Sequence, residues 1–295
     1  MKIIPKKFLI ILAFIAIYVI WGSTYLLNKI AVTELPAFFL ASVRFVFSSV
    51  LLFGIAIAVR AKISITKKQF INSVIVGFLF MVSGNGIFLL ALKYLDSGFA
   101  ALLASTQPLF VLILMRLLDH KKMKLKSIIG IVLGIIGMYL LVSQKELITD
   151  EDTIKGILMI FICVLGWSYA SVFVSKADLP KSHLVSTGYQ MAIASVLLAV
   201  ISVVLGENWT SPLDWSYNVQ WAMSLLILFG SIAAFTAFNY LLKEVSTEKV
   251  STSAYVNPVV ALFLGWYILD EQLTAQSLIA AVILLVGVYF ITSRK

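Results

Sequence analysis

The residues best suited to hold a polar solute are two short pairs, Gln107-Pro108 and Asn257-Pro258, each set near the middle of a long apolar run. Proline lacks an N–H and displaces the bond to the carbonyl four residues earlier, here Ala104 and Ala254. Each pair therefore leaves a free acceptor beside an amide that both donates and accepts. Such a pair can line a cavity or mark a hinge, or it can be a kink whose amide satisfies the helix and nothing else. Trp21, Thr24, Tyr25 and Asn28 follow i, i+3, i+4, i+7 spacing and share one helix stripe, and Trp167, Ser168 and Ser171 form a less polar one. Aromatic walls with a few polar handles suit a small-molecule site. Ring packing, with hydroxyls bonded back to their own helix, would give the same pattern. Asn85, flanked by Gly84 and Gly86, and Tyr255 complete the candidate set, with Tyr189, Gln190, Asn239 and Tyr240 behind them.

Arg44 is the one charge well inside a run, eight residues past Pro36 and hence roughly 12 Å deep at the helical rise. It can hold a substrate carboxylate by paired hydrogen bonds. It can equally serve the fold, snorkelling outward or capping helix ends near Glu34. Catalysis has no such candidates. No run core holds an Asp or Glu, His120 and His183 lie in connecting segments, and no Walker A or HExxH pattern occurs. One Cys and two His exclude a disulfide framework and a His/Cys zinc site built by one chain. No cofactor is called for. A channel would show a charged ring or a filter motif, and neither is present.

Long apolar helices must position these side chains. The chain is 61% hydrophobic and 13% charged, about half the charged share of a soluble domain. Its mean hydropathy of +1.03 makes lipid the solvent. Uncharged runs cover 8–28, 69–92, 97–115, 127–144, 156–175, 182–206, 215–242, 250–269 and 272–293, and another, 35–59, is interrupted only by Arg44. Runs of about 18 or more apolar residues span a bilayer as helices, which keep their backbone bonds internal. The expected fold is an all-α integral membrane protein of ten transmembrane helices. The first run lacks a convincing cleavage site after Lys6 and Lys7 and reads as a retained helix.

With the N-terminus inside, eighteen Lys and Arg fall on the inner segments and four on the outer, while ten of fourteen acids fall outside. The net charge of +9 is thus a topology label with both termini cytoplasmic, and not a nucleic-acid footprint. Trp209, Trp215, Tyr217 and Trp221 gather at the outer interface before the eighth span.

A shift of 150 residues pairs Gln107-Pro108 with Asn257-Pro258, Leu92-Lys93 with Leu242-Lys243 and Gly137 with Gly287. A shift near 146 pairs Trp21 with Trp167. Five helices per repeat is an odd number, so the second copy enters the membrane from the opposite side. The expectation is two inverted repeats, 1–143 and 155–295, joined by an acidic linker at 144–154, with a site at their interface. Gly130, Gly134 and Gly137, echoed by Ala280 and Gly287, form a small-residue face for close helix packing or, as the lesser alternative, a homodimer contact.

The run Trp21-Gly22-Ser23-Thr24 through Lys29, Leu35-Pro36 and Arg44, with Ala91-Leu92-Lys93-Tyr94, Ala100-Ala101-Leu102-Leu103, Gln107-Pro108 and the glycine-rich fifth helix, resembles the drug/metabolite transporter superfamily, specifically its EamA-type permeases. The resemblance covers both halves. It implies a ten-helix carrier of small organic metabolites in the cytoplasmic membrane, often an exporter of amino acids or related compounds. It also implies that Arg44 recurs across substrate classes, which favours a structural role. A channel-like uniporter and a carrier of nucleotide-sugar or lipid-type metabolites remain alternatives, and an intramembrane enzyme is a distant one. With no buried carboxylate or His, facilitated diffusion or exchange fits better than proton coupling.

Overall fold

Uncharged runs of this length have only one way to satisfy their backbone in lipid, and in the computed structural model they are helices. The structure describes residues 5–119, 125–143, 151–250 and 253–292, and every regular element among them is helical. Seven helices are long and apolar enough to cross a membrane, counted among the described residues. They are α1 (Lys6–Glu34), α2 (Ala37–Ala58), α3 (Lys67–Ala91), α4 (Ser97–Leu118), α6 (Glu151–Lys176), α7 (His183–Val204) and α8 (Tyr217–Glu244). Three further helices occupy the remaining apolar runs: α5 (Leu125–Val142), α9 (Ser253–Leu269) and α10 (Ala275–Thr292). Most of the expected linker, 144–150, lies outside the described residues, and α6 begins at Glu151.

The bundle is assembled largely by contacts between the halves. Helix α2 packs along α7, and α5 along α10. Glycines permit the second pairing. A Cβ at Gly137 would stand 2.7 Å from Leu284, and one at Gly287 would stand 2.9 Å from the Gly130 carbonyl. The small-residue face is therefore used inside the chain.

Helix ends leave four N–H or C=O groups without partners, and distant side chains take them. Glu207 accepts from the amides of Phe38 (3.2 Å) and Phe39 (2.7 Å) at the start of α2. Glu271 accepts from those of Ser97 (2.8 Å) and Gly98 (3.0 Å) at the start of α4. At one end of the bundle Glu34 accepts from the Ser216 amide at 2.9 Å. At the other, Gln69 and Asn72 donate to the side chain and carbonyl of Asp178 at 3.2 and 2.8 Å. The first of these ends is the acidic one and the second the basic one by the charge balance of their connecting segments.

Three helices contain π-helical turns, at Ala16–Ile20 in α1, Phe78–Gly86 in α3 and Leu226–Ala234 in α8. The last two are equal in length and lie 148 residues apart. A π turn inserts a residue and loosens the carbonyl ladder, and such turns gather at functional sites.

Candidate functional site

A cavity of about 120 Å³ lies in the middle of the bundle, walled by α1, α2, α3, α4, α6, α7, α8 and α9. That volume is near the engineered void that holds one benzene molecule. Trp21, Thr24, Tyr25 and Asn28 reach it from α1, Asn85 from α3, Gln107 from α4, Trp167 from α6, and Asn257 and Pro258 from α9. Pro108 does not line it and is buried in its own helix. The side chain of Tyr255 is outside the described residues.

The aromatic stripes of α1 and α6 meet here. Trp21 and Trp167 pack edge to face with ring centroids 5.6 Å apart, a favourable quadrupole arrangement. Sequence reasoning missed the rings around them. Phe80 lies 4.8 Å from Trp167, and Phe238 lies 4.8 Å from Trp21. Phe235 touches both tryptophans. One signal could have found Phe238: it stands 150 residues after Phe88, whose ring packs edge to face on Tyr25.

Each tryptophan also meets a π turn of the opposite half. The Trp21 indole Nε1 donates to the Gly230 carbonyl in α8 at 3.1 Å. The Trp167 ring lies over Gly84 in α3, where a Cβ would stand 2.7 Å from it. Both members of these pairs are separated from their counterparts by 146 residues. Within the α3 turn, Asn85 donates to the loosened carbonyl of Phe80 at 3.4 Å.

The two proline pairs differ. Ahead of Pro108 the helix is parted at Ser105-Thr106. Leu109 takes the carbonyl of Thr106 at 3.0 Å, and the Gln107 carbonyl accepts from Ser168 at 3.4 Å. Pro258 instead sits inside unbroken α9. The Asn257 amide nitrogen faces three carbonyls, of Ile17 (3.1 Å), Tyr18 (3.0 Å) and Ser253 (3.2 Å). Two of these belong to the π turn of α1, so this amide ties α9 to α1. The Thr24 hydroxyl donates to the Trp21 carbonyl at 2.7 Å, which leaves its methyl to shape the wall. Gln190 and Asn239 form their own buried chain with Thr187 and Ser186, away from the cavity.

Arg44 neither snorkels nor approaches Glu34. It is 4% exposed and lines the cavity. Its Nε donates to Ser231 at 2.7 Å and its Nη1 to Asn28 at 3.2 Å. Ser231 was not singled out in the sequence because serines are common in these runs. No Asp, Glu or Lys lines the cavity among the described residues.

At the acidic end a wider hollow of about 790 Å³ is bordered by Lys29, Glu34, Asp96 and Glu271. The Lys29 ammonium caps α3, donating to the carbonyls of Leu92 and Leu95 at 2.7 Å each. Burial and the neighbouring Glu271 raise the Asp96 carboxyl above the usual carboxylate range, with Lys29 opposing them. Among the described residues no three His, Cys, Asp or Glu cluster as metal ligands would.

The model of the EamA-like transporter family matches residues 8–143 and again 154–293. The uncharacterized inner membrane transporter YedA of Escherichia coli (strain K12) is 33% identical over 284 residues, covering 96% of this chain and 90% of its own. The uncharacterized transporter YoaV of Bacillus subtilis (strain 168) is 26% identical, covering 96% of both chains. A solved crystal structure of a protein superposes with a TM-score of 0.70 at 17% identity, over 95% of this chain and 94% of the other. That likeness is one of fold.

Proposed function

Since this chain belongs to the EamA-like transporter family, and is therefore a multi-pass inner-membrane transporter and not an enzyme, we propose that it is a secondary carrier exporting a small organic metabolite of amino-acid size. In this reading ten helices form two inverted repeats that rock about the central cavity, each exposing it to one side in turn. The N- and C-termini and the basic end are cytoplasmic, as the distribution of Lys and Arg argues. The solute is held between Trp21, Tyr25, Asn85, Gln107, Trp167 and Asn257, with aromatic faces for its body and amides for its polar groups.

The observation that carries this reading is the exchange of tryptophans between halves. Trp21 reaches the π turn of α8, and Trp167, 146 residues later, reaches that of α3. An inverted repeat built around one site would place equivalent residues in such reciprocal contact. The end contacts support it as well. Glu34, just before Leu35-Pro36, holds the start of α8 at the acidic end. Asp178, just before Leu179-Pro180, holds the start of α3 at the basic end. Each is a contact between halves at one mouth, and opening a mouth would require its release.

The test is transport by the purified protein in liposomes against a metabolite panel, measured as counterflow and as net uptake. Saturable movement of at least one solute, weakened at least severalfold by Gln107→Ala, is the expected result. If no solute moves, or if movement never saturates, the carrier reading is wrong.

A further inference from the structure

Arg44 carries a charge for which the cavity supplies no charged counterpart among the described residues, only the ring of Phe45, whose centroid lies 5.3 Å from the guanidinium carbon. Arginine stays protonated in proteins and offers five N–H donors. Ser231 and Asn28 engage Nε and Nη1, Nη2 makes no hydrogen bond, and the residue forms no ion pair among the described residues. The space beside Nη2 is kept by a missing side chain, since a Cβ at Gly230 would stand 3.2 Å from it and 2.9 Å from the Thr24 methyl. The residues that line the cavity therefore sum to a formal charge of +1 at membrane depth, where an unpaired charge is costly.

Ligands can be ranked by the charge they leave behind. A solute with one net negative charge brings the site to zero and can accept from Nη1 and Nη2 in paired geometry. A zwitterion leaves the +1 in place. It also buries an ammonium among amides and rings, with no carboxylate lining the cavity among the described residues. A cation raises the total to +2.

Resting on the carrier reading above, we infer that Arg44 anchors an organic monoanion, a small carboxylate with an apolar body and no ammonium group, and that each transport event moves one negative charge. The inference also names the driving force. An inside-negative potential pushes an anion outward, and 100 mV sustains a gradient of roughly 50-fold for one charge. No proton or sodium site is then needed for export.

The experiment uses the full chain in liposomes, with a potential set by a potassium gradient and valinomycin. The probes are lactate and phenyllactate, with alanine and phenylalanine, in which an ammonium replaces the hydroxyl, and neutral lactamide. Quenching of the cavity tryptophans reports binding without turnover. The expected result is saturable transport of a hydroxy acid toward the positive side, approaching a roughly 50-fold gradient at 100 mV, with little movement of the other three. Arg44→Gln abolishes that transport and the phenyllactate quenching, while Arg44→Lys keeps the potential response at reduced affinity. If Arg44→Gln does not fold, the potential response of the parent protein decides alone.

The inference is overturned if Arg44→Gln binds and moves phenyllactate like the parent. It is equally overturned if transport ignores the potential, or if none of the five probes moves. Should phenylalanine or lactamide move, insensitive to potential but slowed by Gln107→Ala, the anion assignment falls and the carrier reading stands.

Discussion

The indole nitrogen of Trp21 donates to the carbonyl of Gly230 at 3.1 Å, a bond spanning 209 residues of sequence that joins α1 to the π turn of α8. The π geometry loosens that carbonyl, and the indole takes it up. Trp21→Phe retains an aromatic ring beside Trp167 and Phe238 but removes this bond between α1 and α8. A net hydrogen bond of this kind contributes about 0.5–1.5 kcal/mol. Thermal unfolding in detergent is expected to show a lower midpoint for Trp21→Phe, and an unchanged midpoint would mean that the bond contributes nothing.

The reciprocal contact makes a steric prediction. At Gly84 a Cβ would stand 2.7 Å from the Trp167 ring and 3.2 Å from the Leu79 carbonyl, whereas at Gly54 nothing lies within 4 Å. Gly84→Ala forces the indole to move and is expected to destabilise by about 1–3 kcal/mol, as overpacking does. Gly54→Ala, on the exposed face of α2 one turn before its C-terminus, should be neutral or stabilising by up to about 1 kcal/mol through helix propensity. Parallel melts of the two variants check the contrast. Equal effects would mean that the α3 turn yields freely.

Much of this arrangement is legible in the chain itself, and the limits have physical causes. Charge positions outline the helices because lipid tolerates few ions in the spans. The i, i+3, i+4, i+7 stripe of Trp21 to Asn28 faces the cavity because a helix fixes that geometry by itself. The π turns are not legible, because a loosened carbonyl is tolerated only where a tertiary partner donates to it, and Trp21 is far from Gly230 in sequence. Equivalent motifs also mislead: Gln107-Pro108 follows a parted helix while Asn257-Pro258 sits in an unbroken one. The direction of Arg44 depends on Ser231 and Asn28, which lie on two other helices.

That divergence separates the two amides. The Asn257 amide is committed to the carbonyls of Ile17, Tyr18 and Ser253, so Asn257→Ala should lower stability by about 1–3 kcal/mol as well as impair transport. The Gln107 side chain faces the cavity without such a commitment. Gln107→Ala is expected to reduce transport at least severalfold while leaving the melting midpoint within a degree or so, since surface-like losses cost little. Transport and melts on both variants check this. Full activity in Gln107→Ala would remove that amide from the site.

Topology can be read with one thiol at a time, because the native Cys163 is buried. Asp214 lies at the acidic end before α8, and Lys62 lies between α2 and α3 at the basic end. In intact cells a membrane-impermeant maleimide should modify Asp214→Cys and leave Lys62→Cys untouched until the membrane is permeabilised. The parent chain should stay unlabelled. The opposite pattern would reverse the orientation drawn from the basic residues.

Asp96 supplies a pH dependence with a definite sign. Burial first, and Glu271 second, raise its carboxyl above the ordinary range, and Lys29 only partly offsets them. An unfolded Asp titrates near pH 3.9, so between that value and its higher folded one the native state binds more protons than the unfolded state. Stability from this group is therefore full at low pH and is lost as pH rises through the window. Its side chain makes no capping bond at the start of α4, so Asp96→Asn removes the charge without removing a cap. The variant is expected to melt above the parent at pH 8, by at most about 2–4 °C, and to match it near pH 4. Melting curves across that range decide the point. A variant less stable at pH 8 would show that the attraction to Lys29 outweighs burial and repulsion.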